Sequence, residues 1–375
     1  MRIACVADVH IGNHRKHGGS LVAGVNTRGA QTIEAFRAAV RRAREKEADT
    51  FVVAGDLFDY SRPEAPLIAA VQDVLEEARE PANGHRGMEV VLLVGNHDQD
   101  SAEPGNHALS PLREWARVVE KPSVVNLSRG SLLALPYDPR PAGEWFDATV
   151  DELMAKAGAP CALVVHLGIA DSTTAPWLVN ARDAIAADKV LAAMQRHDLN
   201  WGLAGNWHNH AAWPPDAPRL IQCGALVPTG WDNEGLDGYG GVVLIDDSEG
   251  TVSAEVVPGP RFVKVRNAGA LKKAERRAKL EGLSLYVNFV ASADVLSDAR
   301  SLLDEARERG TVVGGEANPD AGEAEAAARS AAYGARKAET LDEALHAFVG
   351  QMALDEDLDR KDVESRARGY LGGGR

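Results

Sequence analysis

The sequence predicts an α/β fold built partly on parallel strands, and three observations carry that reading. Over residues 1–210, short apolar runs alternate with stretches of helical spacing. Five of those runs end in Asp, Asn or His, where ligands bind in α/β sheets. Pro258-Gly259-Pro260 then marks a break, beyond which a smaller α/β pattern begins. At 375 residues and roughly 150 per domain, two or three domains are expected.

The elements follow in order. Arg2–Ala7, Thr50–Ala54, Glu89–Val94, Cys161–Val165 and Trp201–Ala204 read as strands. Between them, Ile33, Phe36 and Val40 recur at helical spacing, as do Leu67, Ile68, Val71, Val74 and Leu75. Leu220–Cys223, Gly241–Ile245 and Thr251–Val257, separated by Gly, Asp and Ser turns, resemble an antiparallel sheet. After the break come a basic helix over Leu271–Leu280, a strand over Leu283–Val290, a helix over Leu296–Arg309 and a strand over Thr311–Val313. Asn318–Ala338 is poor in bulky apolar residues and reads as a linker or weak helix. Leu341, Leu345, Phe348, Val349 and Met352 then form one apolar helical stripe. The expected division is 1–260, 261–317 and 318–375.

Hydrophobic residues at 45% and charged residues at 26% are globular proportions, which exclude disorder as the main state. Net charge is −14, from 41 basic and 55 acidic residues. Such a chain is poorly suited to coating duplex DNA through a broad basic face. It can still meet phosphates locally through bound cations. Cys5, Cys161 and Cys223 form no Cys-x-x-Cys pair, and each lies in an apolar run, as buried thiols in a reducing compartment would. Asp8 stands too early for a secretory leader, and no apolar run approaches the roughly 20 residues of a membrane span. The expectation is a cytoplasmic, nucleoid-associated protein without membrane contact, in the host cytoplasm if phage-encoded.

The strand ends carry Asp8-Val9-His10, Gly55-Asp56-Leu57-Phe58-Asp59, Gly95-Asn96-His97-Asp98, His166 and Gly205-Asn206-Trp207-His208-Asn209-His210. Carboxylate, amide and imidazole donors without thiolate suit Mn²⁺, Fe²⁺ or Zn²⁺ better than a structural zinc site. The ligands are too many for one ion and enough for two. Two divalent ions about 3.5–4 Å apart hold a phosphate and promote in-line displacement.

In order and spacing these segments resemble the calcineurin-like metallophosphoesterase signature over roughly residues 1–260. The resemblance implies a layered β-sandwich flanked by helices, with a small α/β capping domain and a helical tail. It implies two divalent metals, most readily Mn²⁺, with Mg²⁺, Fe²⁺ and Zn²⁺ as alternatives. Asp8, His10 and His208 would hold one ion, Asp56 would bridge, and Asn96 and His166 would hold the other. His97 would contact the phosphate and assist the leaving group, with Asp98 beside it, while Asp59 would fix loop geometry. One position departs from the pattern: the family has Gly-His-x-His where this chain has Gly205-Asn206-Trp207-His208. Asn206, His210 (which shares its face in an extended segment) or water would complete the second site.

Asp59-Tyr60-Ser61-Arg62-Pro63 lacks the Asp-Arg pair of the family's protein phosphatases, and Gly95-Asn96-His97-Asp98 replaces their Gly-Asn-His-Glu. The text is closer to SbcD-type DNA exonucleases, the nuclease subunits of DNA-end-processing complexes, whose eukaryotic counterpart is the nuclease of the MRN complex. That likeness implies DNA as substrate and a coiled-coil ATPase of the SbcC type as partner, engaged by the C-terminal helix, and leaves a homodimer open. Arg15 and Lys16 would meet DNA phosphates, as would Lys272, Lys273 and Arg276; an ordinary solvated loop and helix face are the competing readings. Gly105-Asn106-His107 follows no strand and reads as a loop. Trp207, Trp213 and Trp231 either wall the site, stack on bases or pack a core. Two other functions compete: hydrolysis of nucleotides or RNA, and DNA-end binding by a scaffold with a weakened metal site.

Overall fold

The computed structural model describes residues 1–15, 17–81, 86–101, 103, 105–156, 160–171, 182–231, 235–236 and 241–320. Residues Met1–Asn318 form one compact unit and Pro319–Arg375 a second. The expected C-terminal helix and its apolar stripe lie outside the described residues.

Two six-stranded sheets organise the first unit. One runs Thr251–Val256, Gly241–Asp246, Arg2–Val6, Thr50–Val53, Glu89–Leu93, Arg117–Val119. Its last four strands are parallel, while the first two add antiparallel. The other runs Ala211–Trp213, Leu220–Gln222, Trp201–Gly205, Ala162–His166, Gly130–Leu135, Ser123–Leu127, parallel in the middle and antiparallel at both edges. The stretch expected to form its own antiparallel sheet is instead shared: Leu220–Gln222 joins the second sheet, and Gly241–Asp246 and Thr251–Val256 join the first.

The two-residue period of a strand explains the layering. Ile3, Cys5, Val52, Val91 and Leu93 face Leu132, Ala134, Val164, Leu203 and Ile221 in the core between the sheets. Their neighbours Ala4, Val6, Phe51, Val53 and Leu92 face outward, where Phe36, Val40, Leu67, Val71 and Val74 cover them. Those residues belong to the helices Thr27–Glu45 and Ala65–Arg79, the first capped by Asn26 Oδ1 accepting from Gly29 N at 2.8 Å. Leu133, Leu163 and Val165 are covered likewise by Trp145, Phe146, Val190 and Met194 of the helices Ala142–Met154 and Ala187–Arg196. The result is helix, sheet, sheet, helix.

The smaller module is a three-stranded sheet, Pro260–Val265, Ser284–Ala291 and Val312–Pro319, with the helices Ala268–Glu281 and Leu296–Glu308. It has its own core of Val263, Leu271, Leu285, Phe289 and Leu303. Its first strand starts inside the Pro258-Gly259-Pro260 break, since a Pro at a strand's first residue gives up no ladder bond. Cys5, Cys161 and Cys223 are free thiols, and no helix among the described residues is long and apolar enough to cross a membrane.

Candidate metal centre

Five parallel strands deliver their carboxyl ends to one rim. Asp8 and His10 follow Arg2–Val6, Asp56 follows Thr50–Val53, and Asn96 and His97 follow Glu89–Leu93. His166 closes Ala162–His166, and Asn206 and His208 follow Trp201–Gly205. Asp8, His10, Asp56 and Asn206 all have positive φ, at 49°, 52°, 53° and 82°. This left-handed region costs most residues energy but is reached by Asp, Asn and His, and such strain gathers at functional sites. Glycines make room: a Cβ on Gly55 would stand 2.0 Å from His166 Nδ1, and one on Gly95 2.1 Å from Asp56 Oδ1.

Among the described residues three donor sets result, each with ligand atoms within 4.8 Å of one another: Asp8, His10 and His208; Asp8, Asp56 and His166; His10, Asp56 and His97. Asp8, His10 and Asp56 recur among them, so the sets overlap as two adjacent ion positions would. The histidines are oriented from behind. His166 Nδ1 donates to the Ala54 carbonyl at 2.7 Å, His10 Nδ1 lies 3.3 Å from Asp59 Oδ1, and His208 Nδ1 lies 3.2 Å from Thr229 Oγ1. Each ring thereby turns Nε2 to the centre, as metal-binding histidines do. There His10 Nε2 and His208 Nε2 stand 3.1 Å apart, and His166 Nε2 stands 2.9 Å from Asn96 Oδ1 and 3.4 Å from Asp56 Oδ2. Lone pairs converging in this way call for a cation between them. Among the described residues, the buried Asp8 Oδ2 has no hydrogen-bond partner, which adds an acceptor to the same set. The residues fit a divalent metal centre.

Burial and charge set the protonation of the metal-free site. Burial pushes the Asp8 carboxyl up, against the pull of His166. Burial also opposes ionisation of Asp56, but His166, then His10 and His97, outweigh it and hold Asp56 well below the carboxylate range. Burial opposes the His166 charge as well, yet Asp56 and Asp8 raise it to about 9.

The other expected residues have the following surroundings. Asp98 braces the centre from behind; its buried carboxylate accepts from Leu57 N, Phe58 N and Gly95 N at 3.3, 3.0 and 3.0 Å. That ties the loop after Thr50–Val53 to the loop after Glu89–Leu93. Burial, then the neighbouring Asp56, lifts it to about 6. Asn206 N donates to Asp8 Oδ1 at 2.9 Å, while its side-chain amide donates to the Asp183 carbonyl and carboxylate at 3.1 and 3.3 Å. His210 is exposed and donates from Nδ1 to the Cys223 carbonyl at 3.2 Å. Arg15 is exposed beside a cavity of about 510 Å³ that Asp59 and Tyr60 also line, and Lys16 lies outside the described residues. Lys272, Lys273 and Arg276 are exposed on the helix Ala268–Glu281. The three tryptophans form no common wall: Trp207 packs on Gly168, Trp213 against the outer core of the second sheet, and Trp231 edge-on to Phe262 at 5.1 Å. His107 sits in a loop, 3.1 Å from Glu120. Thr229, Asp183 and the Ala54 carbonyl were not legible in the sequence. Pro228-Thr229-Gly230 carries no motif, and a backbone carbonyl has no sequence signal.

Residues 1–208 match the calcineurin-like phosphoesterase family. The chain belongs to that family. As a calcineurin-like phosphoesterase it is a metal-dependent hydrolase of phosphate esters, with Asp8, His10, Asp56 and His166 placed to hold divalent ions. Over 98 residues it is 33% identical to the DNA double-strand break repair protein Mre11 of Methanopyrus kandleri. That stretch covers 26% of this chain and 19% of the relative, so the chain matches only a small part of that protein's length. Among solved structures, TT1561 of Thermus thermophilus is similar with a TM-score of 0.43 and 14% identity, over 68% of this chain and 98% of that one. GAP50, the anchor in the inner membrane complex of Plasmodium, is similar with a TM-score of 0.39 and 14% identity, over 68% and 88%.

Proposed function

We propose that this phosphoesterase hydrolyses phosphodiester bonds of DNA at or near ends, in repair or recombination, with two divalent ions, Mn²⁺ before Mg²⁺, Fe²⁺ or Zn²⁺. The observation that carries it is the overlap of the donor sets through Asp8, His10 and Asp56, with His97 exposed beside them. In this reading Asp8, His10 and His208 hold one ion, Asn96 and His166 the other, and Asp56 spans both. When bound, such a pair supplies positive charge to a phosphodiester and to the attacking water.

The chain's own residues do the rest. His97 Nδ1 donates to the Asp59 carbonyl at 2.9 Å, so Nε2 is left to face a leaving oxygen, to which the imidazolium form of the ring gives its Nε2 proton and returns to the neutral Nδ1–H tautomer. His97 N donates to Asp56 Oδ1 at 2.9 Å, which fixes the ring's loop against the bridging carboxylate. Asp98 positions both loops from behind rather than meeting substrate. DNA as substrate draws support from the likeness to Mre11, and the exposed Lys272, Lys273 and Arg276 offer phosphate contacts on the 261–317 module. A coiled-coil ATPase of the SbcC type as partner, docking on 318–375, and a homodimer rest on the sequence resemblance.

The decisive experiment is digestion of end-labelled linear duplex and single-stranded DNA with Mn²⁺, with Mg²⁺ and with EDTA. Metal-dependent shortening from the ends is expected. Hydrolysis of nucleotides or RNA with DNA untouched would move the substrate elsewhere, and DNA binding without cleavage would make the chain a scaffold.

A further inference from the structure

Arg28 is only 5% exposed, so its charge lies within the fold. It is the second residue of the helix Thr27–Glu45, and its guanidinium does two things at once. Nη2 donates to the backbone carbonyl of Thr229. The Cζ stands 4.9 Å over the ring of Phe262, a fully buried residue in the first strand of the small module. Phe262 is stacked on Tyr286 of the next strand, with centroids 4.9 Å apart and planes at 15°. The Tyr286 hydroxyl donates to Gln31 Oε1 at 3.0 Å, one turn along the helix from Arg28. Removing a guanidinium from water is costly unless geometry returns the loss. Here the planar group is clamped between an aromatic face and a carbonyl, an arrangement that Lys would not reproduce.

Thr229 leads on to the centre. Its Oγ1 lies 3.2 Å from His208 Nδ1, and His208 Nε2 is the atom 3.1 Å from His10 Nε2. With Nε2 committed to an ion, Nδ1 carries the ring proton and the Thr229 hydroxyl accepts it. His166 is oriented by a carbonyl of the sandwich itself, and His10 Nδ1 stands 3.3 Å from the Asp59 carboxylate of the sandwich without hydrogen-bond geometry. His208 is the ligand whose orienting group is fastened, through one buried cation, to the small module.

We propose that Thr229 and Arg28 are positioning residues for His208, and that packing of the small module through Phe262 sets how tightly the Asp8, His10, His208 position holds its ion. The inference rests on the reading of His208 as a ligand. It makes that metal position the one that responds to the module, while the His166 position is set by the sandwich alone.

The test is calorimetric titration of the full-length, metal-stripped chain with Mn²⁺ alone. Thr229→Val keeps shape and removes the acceptor. It is expected to weaken one of two ions by about 10- to 100-fold and to leave the other unchanged, the usual effect of losing such a partner. Thr229→Ser restores the hydroxyl and is expected to bind like the parent. Phe262→Leu keeps apolar volume without a ring face and is expected to weaken the same ion to a smaller degree. Excess Mn²⁺ is expected to restore kcat in Thr229→Val and Phe262→Leu, a recovery that a general loss of structure would not allow. Parent-like binding in Thr229→Val, or equal weakening of both ions, overturns the inference. His208→Ala separates the layers: if it drops one ion while Thr229→Val drops none, only the inference falls. If His208→Ala keeps both ions, the ligand reading falls and takes the inference with it.

Discussion

His166 holds its ring by a 2.7 Å hydrogen bond from Nδ1 to the carbonyl of Ala54, the last residue before the Gly55-Asp56 turn. One contact thus fixes the distance between strands of opposite sheets and chooses the histidine's tautomer. With Nδ1 donating, Nε2 faces Asn96 Oδ1 and Asp56 Oδ2, and without an ion a proton is drawn there, lifting His166 to about 9.

That proton gives pH dependence a direction. In the metal-free fold the charged ring contributes stability in full below its ordinary value of 6.5, and the contribution is lost as pH rises through about 9. Metal binding runs the other way, because the ion must displace the proton. Apparent Mn²⁺ affinity is expected to rise between pH 7 and about 9 by up to roughly tenfold per unit. Titrations in buffers of different ionisation heat count the released proton. An affinity that stays flat over this range would show that Nε2 of His166 is not a ligand.

The Gly55 position tests the same contact sterically. Its φ is +94°, and a Cβ would stand 2.0 Å from His166 Nδ1. Gly55→Ala is expected to cost roughly 2–4 kcal/mol through left-handed strain and overpacking, and to lose bound metal on elemental analysis. Gly143 is the contrast, since none of the described residues lies within 4 Å of its added Cβ in the helix Ala142–Met154. Gly143→Ala should stabilise by about 0.5–1 kcal/mol in denaturant unfolding.

His97 separates chemistry from metal retention. Its ring is exposed and anchored at the Asp59 carbonyl, yet its ligand atom also falls in a set with His10 and Asp56. As a proton donor to the leaving group it contributes about 10²–10⁴-fold in rate. His97→Ala should keep two ions, bind DNA and turn over slowly by that factor. Loss of an ion in this variant would make His97 a ligand and return the leaving-group proton to another residue.

The alternation that made the fold readable comes from parallel strands buried on both faces, such as Phe51-Val52-Val53 and Val90-Val91-Leu92, which write nearly continuous apolar text. Gly130–Leu135, just as buried toward its end, is not legible because it follows the half-exposed edge strand Ser123–Leu127, whose polar residues break the pattern. The family resemblance implied two layered sheets, but which strands share a sheet was not legible, since strand order depends on contacts far apart in sequence: Arg2–Val6 pairs with Gly241–Asp246. At the site, side chains that converge were legible as Asp, Asn and His after apolar runs. What orients them was not: Ala54 acts through its carbonyl, and Thr229 is an isolated hydroxyl 21 residues after His208.

Asn206 is the departure from the family pattern, and the structure gives it two contacts to test. Its backbone N–H supports Asp8 Oδ1 at 2.9 Å, a bond that any residue at this φ of 82° can make. Its amide donates to Asp183, so the amide oxygen is the group left to serve an ion. Asn206→His is therefore expected to keep Asp8 in place and to exchange a weak oxygen donor for imidazole, lowering the Kd of one Mn²⁺ in titration and leaving the other alone. Asp183→Ala removes only the 3.3 Å carboxylate contact and keeps the 3.1 Å bond to the Asp183 carbonyl, so it should weaken that same ion only slightly. His210, exposed and bonded to the Cys223 carbonyl, should tolerate Ala with a stability change within about 0.5 kcal/mol and no change in metal content. If instead His210→Ala drops an ion while Asn206→His changes nothing, the ring of His210 leaves Cys223 to bind metal. The second site would then be completed farther along the same extended segment, at His210 in place of Asn206.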